Sequence, residues 1–220
     1  MGRDFAAGFE QYFKGDKVVD AWVQLIKEFA GSMILILVAS SASLDNGFNW
    51  AVSYVVLSIL FEGHHFNSFV TFYKAFTGSM CCVKGLFFLG AQFLGGYVAG
   101  HLGGALGVAA DKSDLGFALD NWQAGVRQAI AIVLFLWTFN HACSGKVGDH
   151  MSKGIFMIAS IAVVFMFNAG FVFSYHRCFQ SMETIQASGA VALWGAVACI
   201  VTHVKSKFMG VEDKWFWEVS

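Results

Sequence analysis

The chain has 220 residues, 57% of them hydrophobic and 13% charged, with a mean hydropathy of +0.60 and a net charge of -1. That balance leaves too little polar surface to cover a water-soluble domain, and the near-zero charge removes the electrostatic basis for a nucleic-acid partner. It fits an all-α integral membrane protein that crosses the bilayer several times, because a spanning helix needs roughly 20 predominantly apolar residues.

In chain order, residues 1–25 place Phe5, Phe9, Phe13, Val18, Val19, Trp22 and Leu25 among charged neighbours. The spacing puts most of these groups on one helical face and predicts an amphipathic helix lying in the membrane interface. Residues 26–206 form one transmembrane domain, with apolar segments at about 26–44, 50–61, 83–106, 125–143, 154–174 and 187–204. The third of these carries Gly96, Gly100 and Gly104 at four-residue spacing, a pattern that lets a neighbouring helix approach closely. The tail, 207–220, sets Phe208, Trp215, Phe216 and Trp217 beside Lys207, Glu212, Asp213 and Lys214, and aromatic residues favour the headgroup zone. Six crossings with both termini on one side leave only Lys112, Arg127 and Arg177 of the fourteen Lys and Arg on the other side. That is the asymmetry expected between cytoplasmic and translocated loops.

No chemistry-bearing constellation accompanies these spans. The five cysteines form no Cys-x-x-Cys pair, and His64 and His65 have no nearby ligand pair to complete a metal site. No nucleophile stands with a base, and no paired carboxylates or phosphate loop occur. Neither a metal, a cofactor nor an enzymatic activity is expected.

Between the second and third segments runs Gly63-His64-His65-Phe66-Asn67-Ser68-Phe69-Val70-Thr71. Together with Glu28-Phe29-Ala30-Gly31-Ser32 in the first span and Gly90-Ala91-Gln92-Phe93-Leu94-Gly95-Gly96 in the third, it resembles the aquaporin (major intrinsic protein) family. In that family a Gly-x-His-x-Asn-Pro-Ala-Val-Thr segment enters the membrane, turns at Asn and returns as a half-helix. The resemblance therefore implies six transmembrane helices plus two re-entrant half-helices, with N and C termini on the same side. Asn67 matches the family's Asn, whereas Ser68 and Phe69 stand at its Pro and Ala.

A second half-motif is implied after the fifth span. Using Asn168-Ala169 for it leaves a fifth span of only about 21 Å at 1.5 Å per residue, against a hydrocarbon core of about 30 Å, so that register is rejected. The register adopted aligns Gln180-Ser181-Met182-Glu183-Thr184 with the family's Asn-Pro-Ala-Arg-Ser, 113 residues after Asn67. It predicts a second half-helix over 180–187. It also puts Glu183 at the filter Arg position, Arg177 three residues before Gln180, and Asn168 where many water-selective members have His. An Arg177–Glu183 pair across the bore would plug it. The other placement has Glu183 stabilised by its own helix dipole and Arg177 reaching the surface.

Losses at Ser68, Phe69, Gln180, Ser181, Met182 and Glu183 fall where a pore needs its residues. They imply a non-conducting subunit of a larger membrane assembly, with the lipid bilayer and either other membrane subunits or further copies of the chain as partners. The alternative is a channel for water or small neutral solutes with an altered filter.

Overall fold

Helix is what the composition favours: the chain contains no proline, so nothing in its apolar segments removes a backbone donor or blocks a following turn. A computed structural model describes residues 13, 17–41, 47–61, 64–107, 122–143, 152, 154–155, 157–159 and 182–209. Among them the main elements are all α-helices: α1 (Lys17–Ser41), α2 (Gly47–Leu60), α3 (Ser68–Thr77), α4 (Cys82–Ala105), α5 (Trp122–Cys143) and α6 (Met182–Met209). Five of the six apolar segments coincide with α1, α2, α4, α5 and α6. Of the remaining one, 154–174, the described residues 154–155 and 157–159 are helical. Val18–Val38 within α1 and the whole of α4 are long and apolar enough to cross a membrane.

Three boundaries differ from those read in the sequence. α1 begins at Lys17, so no break separates an interfacial helix ending at 25 from the first span. Ala21 and Leu25 are buried, and that packing carries the helix through the expected junction. α6 continues past 206 to Met209. More consequentially, α6 is one helix of 28 residues that opens at Met182. The separate half-helix predicted over 180–187 is therefore not present as a distinct element, because the segment has no proline to end a turn near 187. Within the glycine stripe Gly96 is buried, and a close approach to α1 occurs at the residue beside it. Gly95 is pressed against the Phe29 carbonyl and Ser32 of α1, while a side chain at Gly104 would meet nothing within 4 Å.

Contacts fix the helix directions. Phe13 bridges Trp22 of α1 and Phe87 of α4, Glu28 bonds Gln92, and Ser32 abuts Gly95, so α1 and α4 climb together. The end of α2 shares a histidine with Gln24, near the start of α1, and α2 thus runs back against α1. Helix α3 opposes α4, with Thr71 bonded to Gln92 and Ala75 beside Gly85. It runs with α6, as Phe69 meets Gly195 and Phe76 meets His203. α5 also runs with α6, through Gly125 against Trp194 and Lys205 over the Trp137 ring.

One apolar cluster joins these helices. It contains Tyr54, Phe66, Phe69, Tyr73, Phe135 and Phe139, all at most 4% exposed, together with Leu35, Ile132, Leu136 and Cys199. The outward faces are apolar too: Val19, Ile26, Leu60, Leu86, Leu94 and Leu193 are each more than half exposed.

Candidate functional site

The site is the segment that joins α2 to α3. Its fold starts from Asn67, an extended residue (φ -144°, ψ 121°) whose Oδ1 accepts from the N–H groups of Phe69 at 2.9 Å and Val70 at 3.3 Å. Asn is among the best residues at this position, because a short side-chain acceptor satisfies donors that the first turn leaves orphaned. After the ten residues of α3 the helix stops at Gly78, whose φ of 77° needs a residue without Cβ. The whole of α3 is about 15 Å long at 1.5 Å per residue, half a hydrocarbon core.

Before Asn67 the chain is held by a carboxyl group from another helix. Glu28, fully buried in α1, accepts the His65 N–H on Oε2 at 3.0 Å and the Phe66 N–H on Oε1 at 2.7 Å. The Gln92 amide is the third donor to this carboxyl group and the second to Oε1, at 2.5 Å, and also donates to Thr71 Oγ1 at 2.8 Å. Two acceptors facing one nitrogen fix which way that amide points. Thr71 Oγ1 lies 2.7 Å from His65 Nδ1, and the assignment that uses the hydroxyl proton has Thr71 donating to the ring. The Tyr54 hydroxyl donates to the His65 carbonyl at 2.8 Å.

This network holds a strained backbone. Phe66 has φ of 48°, a conformation uncommon for a bulky residue. It costs on the order of 1–2 kcal/mol and persists where surrounding contacts over-determine it. Here the Glu28 carboxyl grips both the Phe66 N–H and the one before it. Glu28 and Gln92 stand close to the middle of α1 and α4, so Asn67 sits at mid-height of both.

Of the residues singled out in the sequence, the structure brings together Asn67, Ser68 and Phe69. Ser68 is the first residue of α3, buried, and its Oγ has no hydrogen-bond partner. Phe69 points its ring at Gly195 of α6, where any Cβ would overlap it. The volume that the sequence adds at this position is therefore housed in the seam with α6. A cavity of about 270 Å³ adjoins the seam, lined by Ser68, Phe69, Phe72, Leu89, Phe93, Gly195 and Ala196; among these described residues the Ser68 hydroxyl is the only side-chain polar group. Met182 opens α6 and Glu183 follows it; Asn168, Arg177, Gln180 and Ser181 lie outside the described residues. Among the described residues no group of three metal-ligating side chains occurs.

Sequence reasoning quoted Glu28 and Gln92 as matching residues without giving them a role. The available signal was an acid and an amide inside apolar segments, which have to find partners there.

The geometry at Ser68 carries a prediction. The first helical position does not use its N–H in the ladder, and the extended Asn67 before it already has the backbone that proline demands of its predecessor. Ser68→Pro also removes a buried hydroxyl without a partner. It is expected to fold and to raise stability by about 0.5 kcal/mol, read as a rise of about 1–2 °C in the unfolding midpoint.

Neither a protein-family model nor a curated protein matches the chain.

Proposed function

We propose that the chain is a multi-pass membrane protein of aquaporin-like architecture whose central passage is filled, and that it serves as a structural subunit of a larger membrane assembly. Helix directions support the crossing pattern: α1 up, α2 down, α4 up, α5 and α6 down is the alternation that six crossings require. The apolar outer faces suit lipid or the apolar surface of neighbouring subunits. Helix α3 supports the re-entrant reading, since it starts at mid-height of two helices of membrane-spanning length and returns antiparallel to α4.

The observation that carries the loss of conduction is the setting of α3. Its Asn67 amide oxygen accepts from two backbone donors, and Phe66, Phe69 and Tyr73 belong to one buried apolar cluster with Tyr54, Phe135 and Phe139 from α2 and α5. A water path needs polar groups spaced along a lumen. The Glu28 carboxyl, the Gln92 amide nitrogen, Thr71 and the His65 and Phe66 N–H groups are instead engaged in bracing the loop against α1 and α4.

Reconstituted into proteoliposomes, the chain is expected to swell no faster than empty vesicles in stopped-flow light scattering. Water flux well above that baseline would overturn the proposal in favour of a channel whose filter uses Glu183 and Asn168. Purified from its native membrane, the chain is expected in fixed stoichiometry with other membrane subunits. Recovery solely as a homotetramer would count against the subunit role.

A further inference from the structure

His64, just before the segment that Glu28 holds, is 4% exposed, and both its ring nitrogens face carbonyl oxygens. Nδ1 lies 2.7 Å from the carbonyl of Phe61 and Nε2 lies 3.1 Å from the carbonyl of Gln24. A carbonyl oxygen can only accept, and a neutral imidazole carries one N–H. In either neutral tautomer one nitrogen lone pair would confront an oxygen lone pair at hydrogen-bond distance, inside a packed core. Only the imidazolium satisfies both contacts.

The surroundings suit a cation. The ring is stacked between Phe66 and Phe88, each with its centroid 5.9 Å away and tilted by 12° and 9°. Aromatic faces within about 6 Å attract positive charge. The Phe61 carbonyl lies at the C-terminal end of α2, where unpaired carbonyls concentrate negative potential. Charged and titratable groups around this point come from each packed element. α1 contributes Glu28, bonded to the adjacent His65 N–H; α3 contributes buried Lys74; α4 contributes Lys84, with Nζ 5.1 Å from the centroid of the same Phe88 ring. α2 contributes the Tyr54 hydroxyl, and the joining segment contributes His65 itself. Glu62, two residues before His64, lies outside the described residues. The carboxyl group favours a proton on His64 and the two lysines oppose it.

We propose that His64 is a proton-binding site, and that its imidazolium latches the end of α2 to α1 so that the segment leading to Asn67 is clamped when the proton is bound and slackened when it leaves. One proton thus sets whether the brace has one strong tie or two. Because the folded chain binds a proton that the unfolded chain releases near neutrality, the tie contributes stability at low pH and loses it as pH rises.

The test uses the full chain in lipid nanodiscs with nitrogen-15 histidine. At about pH 6 the His64 ring is expected to show two protonated nitrogens, and towards about pH 9 one of them loses its proton while the His65 and Phe66 amides shift in step. The wild-type unfolding midpoint is expected to fall by about 5 °C over that range beyond the change in His64→Phe, which keeps the stack but has no donors. A single protonated ring nitrogen throughout the range would overturn the proposal without any variant. So would a His64→Phe chain whose pH dependence matches the wild type.

Discussion

Replacing Glu28 by alanine is expected to lower stability by about 3–5 kcal/mol, although it removes only one side chain of the site. Two backbone N–H groups and the Gln92 amide converge on this carboxyl group, and each buried donor left without an acceptor costs on the order of 1–3 kcal/mol. Breaking a buried network by removing one member is costly for the same reason. Phe66 then loses the contact that holds φ at 48°, so the segment is free to relax and Asn67 to leave its cap. Glu28→Gln keeps one acceptor but turns its amide nitrogen towards a backbone donor, and about half the loss is expected. Thermal unfolding of the reconstituted chain measures both. Hydrogen exchange supplies the local reading: the His65 and Phe66 amides should exchange much faster in Glu28→Ala while amides in α5 change only with global stability. Slow exchange at both positions in the variant would show that the carboxyl group is not what holds the turn.

The contrast between the two halves of the chain shows what a sequence can disclose. Apolar segments marked α1, α2, α4, α5 and α6 because hydrophobic length is a property of the segment alone. Asn67 marked the start of α3 for an equally local reason, a short side-chain acceptor placed before the first turn. The second half-helix was sought by symmetry with the first, yet nothing between Met182 and Val204 can stop a helix, and α6 runs through. The junction expected at 25 failed in the same way. Glu28 and Gln92 were conspicuous as polar residues in apolar surroundings, but their bond joins positions 64 residues apart and follows only from α1 and α4 lying parallel. His64 was read only as lacking the ligands of a metal site; that both its nitrogens meet carbonyls depends on where α1 passes. Nor could the sequence say whether Phe69 faces a lumen or a seam, because Gly195 is 126 positions away.

That seam supports the second large prediction. A Cβ at Gly195 falls on the ring of Phe69, so Gly195→Ala forces either the ring or α6 to shift and is expected to cost about 1–3 kcal/mol, as overpacking does. Phe69→Ala removes a buried ring beside an existing apolar cavity and is expected to cost about 3–5 kcal/mol. The two changes oppose each other in volume at one point of contact. With the ring gone, the alanine at 195 meets no obstacle and recovers up to about 1 kcal/mol of helix propensity over glycine. The double variant is therefore expected to be more stable than the sum of the single losses predicts, with a coupling of about 1–3 kcal/mol by double-mutant cycle. A coupling indistinguishable from zero would mean that the ring does not fill the seam. Its volume would then have to lie elsewhere around α3, and the passage would not be closed by the contact between Phe69 and Gly195.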